Sequence, residues 1–166
     1  MLGLVSRNID RMIDHFGRGV SWISLILILL ICIDVIMRYF LRTSEIWMVE
    51  LEWHLFSVLF LLGASYTLLH DKHVRVDLFY ENYSAKRKKL VNAIGILFLV
   101  LPWCFIILST SWDYASNSFS FRDNSPQPGG LPARYIIKYV IFLGFSLLTL
   151  QAISELIKCL KHSKHK

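Results

Sequence analysis

Charged residues are scarce in this sequence of 166 residues, and cysteine is scarcer still. Asp, Glu, Lys and Arg make up 18% of the chain, against about a quarter in typical soluble domains, and 55% of the residues are hydrophobic. Such hydrophobicity excludes intrinsic disorder. The three cysteines are widely spaced and form no CxxC pair, which argues against a disulfide scaffold, a zinc site and a redox motif.

Signatures of catalysis and of nucleic-acid binding are missing as well. The sequence has no nucleophile–base pair, phosphate-binding loop or metal-ligand cluster, so we predict that the chain is not an enzyme and binds no cofactor. The net charge of +6 comes from short basic clusters between apolar runs, so nucleic acid is not an expected partner. Internal repeats and midplane polar clusters, which would suggest a transport pathway, are also lacking. These absences favour an accessory membrane subunit over a catalyst or a stand-alone carrier.

Four long apolar segments are present. A helix needs about 20 mainly apolar residues to cross a bilayer, so we predict an all-α integral membrane protein with four transmembrane helices in one domain, residues 1–166. The first span is expected to be a retained anchor, because no signal-peptide cleavage site follows it. The predicted spans cover approximately residues 20–41, 46–70, 89–112 and 133–157.

The basic residues predict the orientation of the chain in the membrane. Thirteen of the 18 Lys and Arg residues lie before span one, between spans two and three, or after span four. By the positive-inside rule, both termini and the middle connection are expected to be cytoplasmic. Within that connection, residues 72–86 are predicted to form a short amphipathic helix, followed by a basic cluster that contacts anionic lipid headgroups. Residues 113–132 are predicted to form an external loop.

Charged side chains inside predicted spans are candidates for function. Asp34 and Arg38 lie four residues apart, a spacing that favours a local ion pair over an ion pathway. Glu50 and His54 have the same spacing and could bond to each other, while Glu52 points elsewhere. Contact with a partner helix and exposure to water at the interface are equally good interpretations of these three residues, and both are favoured over a proton relay. His54 has no second histidine at matching depth, so haem is not expected.

Small and special residues within the spans predict how helices approach one another. Glycines let helices pack closely, either within the bundle or against another protein, and Gly63, Gly95 and Gly144 are the candidates. Pro102 is predicted to kink the third span. Gln151 is expected to bond between helices, because an isolated polar residue in a span more often does this than bind a ligand.

Two segments resemble the small membrane subunit of tripartite ATP-independent periplasmic (TRAP) transporters. Phe60–Tyr80 reads FLLGASYTLLHDKHVRVDLFY, similar to that family's Leu-Gly-Ala-Ala-Tyr-like stretch followed by His-Val-x-Val-Asp. Ser125–Gln151 reads SPQPGGLPARYIIKYVIFLGFSLLTLQ, similar to the family's Gly-Leu-Pro, Lys, Gly-Phe and Leu-Gln signature. The resemblance extends over all four spans, with Ser65 in place of the commoner Ala.

This resemblance implies a role as the small, DctQ-like permease subunit. Such a subunit binds a large multi-span subunit, which carries the substrate and sodium sites, and acts as a fixed membrane scaffold beside it. A periplasmic substrate-binding protein delivers the solute, usually an organic acid, for sodium-driven uptake across the bacterial inner membrane. No cofactor is implied for this chain itself. The alternative is a stand-alone four-helix membrane sensor or a cytochrome-like redox subunit.

The resemblance also implies three groups of site residues. The helix faces expected to contact the large subunit, or to pack the bundle beside it, bear Glu50, Glu52, Gly63 and Tyr66. Hydrogen bonds to the Asp77 carboxylate are expected to hold the cytoplasmic turn that contains His73, Arg75 and Asp77. The part of the external loop expected to lie near the docked binding protein consists of Pro128, Gly129, Gly130, Leu131 and Pro132.

Overall fold

The structure, a computed structural model, describes residues 2–70 and 83–161, and these residues form helices and connections without a β-strand. There are two π-helical segments in these residues. Met37–Leu41 extends the first α-helix, and Ile96–Val100 joins the third α-helix to the fourth. In chain order the α-helices are α1 (Leu2–Ile36), α2 (Ile46–Leu69), α3 (Ala85–Gly95), α4 (Leu101–Ser120) and α5 (Tyr135–Lys161).

Four helical stretches are long and apolar enough to cross a membrane, which confirms the predicted all-α architecture with four spans. The first and third stretches are longer than the predicted spans. The four stretches are Gly3–Leu41, Ile46–Leu69, Arg87–Ser120 and Tyr135–Cys159.

The connection after the third span is shorter than the sequence suggests. Residues 113–120, predicted as the start of the external loop, continue α4 as helix. No proline or glycine interrupts this segment, and Ala115 and Ser118 lie buried on one helical face. The helix ends where Arg122 takes a positive φ of 48°. Of the predicted amphipathic segment 72–86, residues 72–82 lie outside the described part of the chain.

Pro102 lies directly after the second π segment. A proline has no N–H to donate, and its ring clashes with the carbonyl four residues earlier, here that of Phe98. A π segment widens the helix over one turn and is a common way to accommodate such a break. The structure thus has a wide turn, Ile96–Val100, next to the position where the sequence predicted a kink.

Helix α5 is central to the packing, because it lies against α1, α2 and α4, while α1 also packs along α2. Two glycines set the closest approaches. A Cβ at Gly144 would lie 2.8 Å from the Leu61 carbonyl oxygen, and a Cβ at Gly17 would lie 2.2 Å from Cδ2 of Tyr66. Gly63, in contrast, makes no close approach within the described residues, because nothing beyond its own stretch of helix lies within 4 Å of its Cβ position.

The helices bury little of their surface against one another. Of the most apolar 18-residue window in each span, between 11% and 28% is buried. Large apolar side chains are exposed along α1 and α4, among them Ile26, Leu29, Trp103 and Phe105. In a bilayer such faces are covered by lipid tails, which are as apolar as leucine side chains, or by another membrane protein.

The bundle has two polar ends, defined here by their residues. The loop end carries residues 42–45 and 121–134, which connect α1 to α2 and α4 to α5. The terminal end carries residues 2–16 and 151–161, the first turns of α1 and the last turns of α5.

Side chains join α1 to α5 at the terminal end. Asp10 Oδ1 accepts hydrogen bonds from Ser154 Oγ at 2.8 Å and from Gln151 Nε2 at 3.2 Å, and Asp10 Oδ2 pairs with Lys158 Nζ at 2.7 Å. Ser6 Oγ lies 2.8 Å from Ser154 Oγ. Gln151 thus bonds between helices, as expected from its isolation in the span.

Candidate functional site

Residues 121–134 fold back on themselves as a hydrogen-bonded hairpin. The Arg134 N–H donates to the Asp123 carbonyl at 2.8 Å, and the Ser125 N–H donates to the Leu131 carbonyl at 3.1 Å. These two main-chain bonds bring the ends of α4 and α5 together. The connection is therefore an ordered element.

The tip of the hairpin is a tight turn at Gln127, Pro128, Gly129 and Gly130. The Gly130 N–H donates to the Gln127 carbonyl at 3.1 Å, and Gly129 has a φ of +78°. Proline followed by a glycine with positive φ is the pattern of a type II turn, because proline presets the first φ and only glycine takes the second easily. The Pro-Gly-Gly sequence thus directly determines the turn.

The carboxylate of Glu50, on α2, accepts hydrogen bonds from this hairpin. Its Oε2 accepts the Leu131 N–H at 2.6 Å, its Oε1 accepts the Ser125 hydroxyl, and the residue is only 7% exposed. A Cβ at Gly130 would lie 2.3 Å from Ser125 Oγ and 2.8 Å from Glu50 Oε2, so a larger residue does not fit. We call Glu50, Ser125, Gly130 and Leu131 the loop clamp.

A second carboxylate ties the hairpin to α4 and α5. Asp123 Oδ2 accepts hydrogen bonds from Lys138 Nζ at 2.8 Å and from Ser118 Oγ at 2.6 Å. The hydrogen bond from Lys138, aided by that from Ser118, holds the pKa of the Asp123 carboxyl below its usual value. Lys138 Nζ also lies 4.3 Å from the centre of the Tyr114 ring.

Arg134 completes the polar surface of the loop end. Its guanidinium lies 5.3 Å from the centre of the Trp53 ring, and among the described residues it forms no ion pair. A pocket of about 260 Å³ opens beside it, between the hairpin and α2. The residues that line this pocket include Ser44, Val49, Trp53, Gln127 and Arg134.

Asp34, Arg38 and Glu52 form a separate charged group near the loop end. Asp34 and Arg38 form an ion pair, which confirms the prediction from their spacing. Asp34 is 3% exposed. Asp34 Oδ1 and Glu52 Oε1 are both inaccessible to solvent and have no hydrogen-bond partner among the described residues.

Two further residues of α2, His54 and Tyr66, make contacts with other residues of the bundle. His54 Nδ1 donates to the Glu50 main-chain carbonyl at 2.6 Å, so the expected contact between these residues does not involve the Glu50 carboxylate. The Tyr66 ring rests on Gly17 and meets the His70 ring edge-on at 4.4 Å. Tyr66 therefore packs the bundle.

The sequence points to Glu50 and to residues 128–132 separately, without a pattern that connects them. The structure brings them together and adds Ser125, Asp123 and Lys138, which were not expected as site residues. The sequence Pro-Gly-Gly is a local pattern that favours a turn, whereas no local pattern indicates that Glu50 of α2 binds the hairpin. The predicted cytoplasmic turn of His73, Arg75 and Asp77 lies outside the described residues.

Within residues 2–70 and 83–161, no three His, Cys, Asp or Glu side chains are grouped to hold a metal ion.

A family model described as "Tripartite ATP-independent periplasmic transporters, DctQ component" matches residues 27–162, which include the loop clamp and most of the helical bundle. Among curated proteins, none matches the chain.

Proposed function

Because the chain belongs to the DctQ family, the small permease subunits of TRAP transporters, we propose that it is a fixed membrane scaffold for a large multi-span subunit. In this proposal the large subunit carries the substrate and sodium sites, and a periplasmic binding protein delivers an organic acid to it. The family is a transporter component and not an enzyme family. This chain accordingly contributes binding surfaces and no reaction.

The observation that best supports a scaffold is the low burial of the helices. A stand-alone carrier would need a polar substrate site between its own spans, near the middle of the membrane. Here at most 28% of any span's most apolar window is buried, and apolar faces are left uncovered. A second membrane protein packed against these faces would explain both features.

We propose that the loop end faces the periplasm and both termini face the cytoplasm of a bacterial inner membrane. The distribution of Lys and Arg supports this orientation. The hairpin tip at residues 127–130 would then lie near the docked binding protein. The basic residues that follow the undescribed segment, Arg87, Lys88 and Lys89, would meet anionic lipid headgroups on the cytoplasmic side.

Purification of the tagged chain from its native membrane in mild detergent tests the proposal. We expect one large, very hydrophobic subunit to be recovered in equal amount. Recovery of the chain alone, well folded in several mild detergents, would contradict the scaffold. The orientation is tested separately by labelling a cysteine at Gln127, which we expect to react with an impermeant reagent from the periplasmic side.

Gly63 offers a sharper test of the partner face. Because no atom lies within 4 Å of its Cβ position, Gly63→Leu should leave the melting temperature of the isolated chain unchanged. If this face of α2 binds the large subunit, the same variant should reduce recovery of the complex. Gly19→Leu is the matched control, since Gly19 is equally open but lies on α1.

The hairpin tip can be tested without breaking the loop clamp. Gln127→Trp adds bulk to an exposed side chain and leaves the main-chain hydrogen bonds intact. We expect solute uptake to fall while complex assembly and thermal stability stay normal. Thr43→Trp, exposed in the other connection at the loop end, serves as control. Normal uptake by the Gln127 variant would exclude the tip as a docking surface.

A further inference from the structure

Two carboxylate oxygens, one on α1 and one on α2, are buried without a hydrogen-bond donor. Asp34 Oδ1 and Glu52 Oε1 are both inaccessible to solvent, and no donor among the described residues reaches either oxygen. An acceptor buried without a donor destabilises a protein, and an ionised acceptor does so more strongly. The two carboxyl groups therefore need a donor that the described side chains do not provide.

The two residues lie at nearly the same depth in the bundle. Residues 42–45 connect α1 to α2, and Asp34 precedes this connection by eight residues, while Glu52 follows it by seven. Because α1 packs along α2, similar distances from the connection bring the two side chains to one level. Their charges also interact, since Asp34 repels an ionised Glu52. The two unpartnered oxygens therefore belong to one site.

Arg38 is the positive charge of this site. Its guanidinium pairs with Asp34 Oδ2, the other oxygen of that carboxylate, and it attracts Glu52 less strongly than Asp34 repels it. If both carboxyl groups were ionised, the site would carry two negative charges and one positive charge. A net charge within a membrane span is expensive, and one added proton removes it.

The other charged groups near the site are engaged elsewhere. On α2, the Glu50 carboxylate is bonded to the hairpin, and His54 is bonded to a main-chain carbonyl. On α5, Lys138 is paired with a carboxylate of the hairpin, and the Arg134 guanidinium lies over an aromatic ring. The charged residues of the connection 42–45 are exposed. Within the described chain, the site's own members therefore set its charge balance.

We propose that the two carboxyl groups share one proton, which Glu52 holds at neutral pH and donates in a hydrogen bond to Asp34 Oδ1. The proton comes from the aqueous phase at the loop end, and it satisfies both oxygens at once. Asp34 stays ionised because Arg38 stabilises its charge, so Glu52 is the group that is neutralised. The three residues are then neutral together, and the hydrogen bond joins α1 to α2 inside the membrane.

Infrared spectroscopy of the purified full-length chain at neutral pH tests this proposal, because a protonated carboxyl group has a carbonyl stretch that a carboxylate does not have. We expect wild type to show this band. Isotopic labelling of the glutamate carboxyl carbons should shift the band, whereas labelling of aspartate should not. Glu52→Gln should abolish it. Glu45→Gln, at an exposed position just before α2, is the matched control and should keep it.

Asp34→Asn distinguishes a shared proton from an effect of burial alone. The variant removes the repulsion and leaves the attraction of Arg38, so Glu52 should ionise and the band should be lost. Persistence of the band in this variant would contradict the shared proton. Wild type without the band, or a band that Glu52→Gln leaves unchanged, would overturn the proposal. So would a melting temperature that sodium chloride raises more than choline chloride in wild type but not in Glu52→Gln, since a bound cation would then replace the proton.

Discussion

The loop end and the terminal end both join distant segments through a carboxylate, but the donors differ in kind. At the loop end, Glu50 accepts a main-chain N–H from Leu131 together with the Ser125 hydroxyl. At the terminal end, Asp10 accepts hydrogen bonds from side chains alone. Its three donors are Ser154, Gln151 and Lys158.

This difference shows two ways of stabilising a polar end of a membrane bundle. The Leu131 N–H reaches Glu50 only if the backbone of the hairpin follows one path. The loop clamp therefore depends on the turn at residues 127–130 and on the small size of Gly130. A side-chain network contains several donors, so the loss of one leaves the carboxylate partnered. The loop end should therefore be the more sensitive to single substitutions.

Gly130→Ala should have the largest effect. Its Cβ would lie 2.3 Å from Ser125 Oγ and 2.8 Å from Glu50 Oε2, so the hairpin must shift away from α2. We expect about 1–3 kcal/mol of destabilisation, as for other overpacked sites. Thermal melting of the purified chain measures this. Gly19→Ala, with no atom within 4 Å, is the control and should melt like wild type.

Glu50→Gln should have the next largest effect. A glutamine keeps one oxygen for the Leu131 N–H and places its NH₂ group against the Ser125 hydroxyl, which must turn from donor to acceptor. Both charge-assisted hydrogen bonds of the clamp then become weaker neutral ones. Glu52→Gln is the matched control two residues away, because Glu52 Oε1 has no hydrogen-bond partner among the described residues. We expect a lower melting temperature for the first variant alone. Equal melting of the two would contradict the loop clamp.

Ser154→Ala should cost about 1–2 kcal/mol, because it removes the hydrogen bond to Asp10 and the contact with the buried Ser6 hydroxyl. The loss is moderate because Asp10 keeps Gln151 and Lys158 as partners. Combining this variant with Gln151→Leu should cost more than the sum of the two single changes, since Asp10 then depends on Lys158. Melting of the two single variants and the double variant measures the coupling. Strict additivity would argue against redundancy at the terminal end.

Asp123→Asn should have the smallest effect, and its size should depend on pH. Since the folded protein lowers the pKa of Asp123, the ionised carboxylate adds stability above the unfolded pKa of about 3.9. That stability is lost as the pH falls through the lower folded pKa. Wild type should therefore melt above the variant at pH 7, and the gap should shrink below about pH 4. A constant gap from pH 7 to pH 3 would exclude this linkage.

Several features followed from local sequence. Apolar runs of sufficient length predicted the four spans, and the four-residue spacing of Asp34 and Arg38 predicted their ion pair. The turn at Pro128 and Gly129 also follows from local backbone preferences, since proline presets φ and glycine takes a positive φ easily. In each case the residues concerned are neighbours along the chain or on one helical face, so periodicity and backbone preferences were enough.

Other features were invisible to such arguments. Glu50 meets Ser125 and Leu131 across 75 and 81 positions of sequence. Of the glycines expected to allow close packing, Gly144 does so against Leu61, whereas Gly63 and Gly95 stand open. Gly17, which receives the Tyr66 ring, was not among them. The extension of α4 to Ser120 depends on packing against α5, which overrides the loop-like composition of residues 113–120.

The sequence by itself determined that this is a four-span helical membrane protein with the signature segments of a TRAP small subunit. Hydrophobic length, basic-residue distribution and short motifs are local properties, and they can be read without coordinates. Only the tertiary structure decided which residues form the loop clamp, which glycines admit close neighbours and where a pocket remains. Those outcomes depend on how α2, α4 and α5 meet, since a carboxylate or a glycine acquires its role from atoms that the fold brings to it.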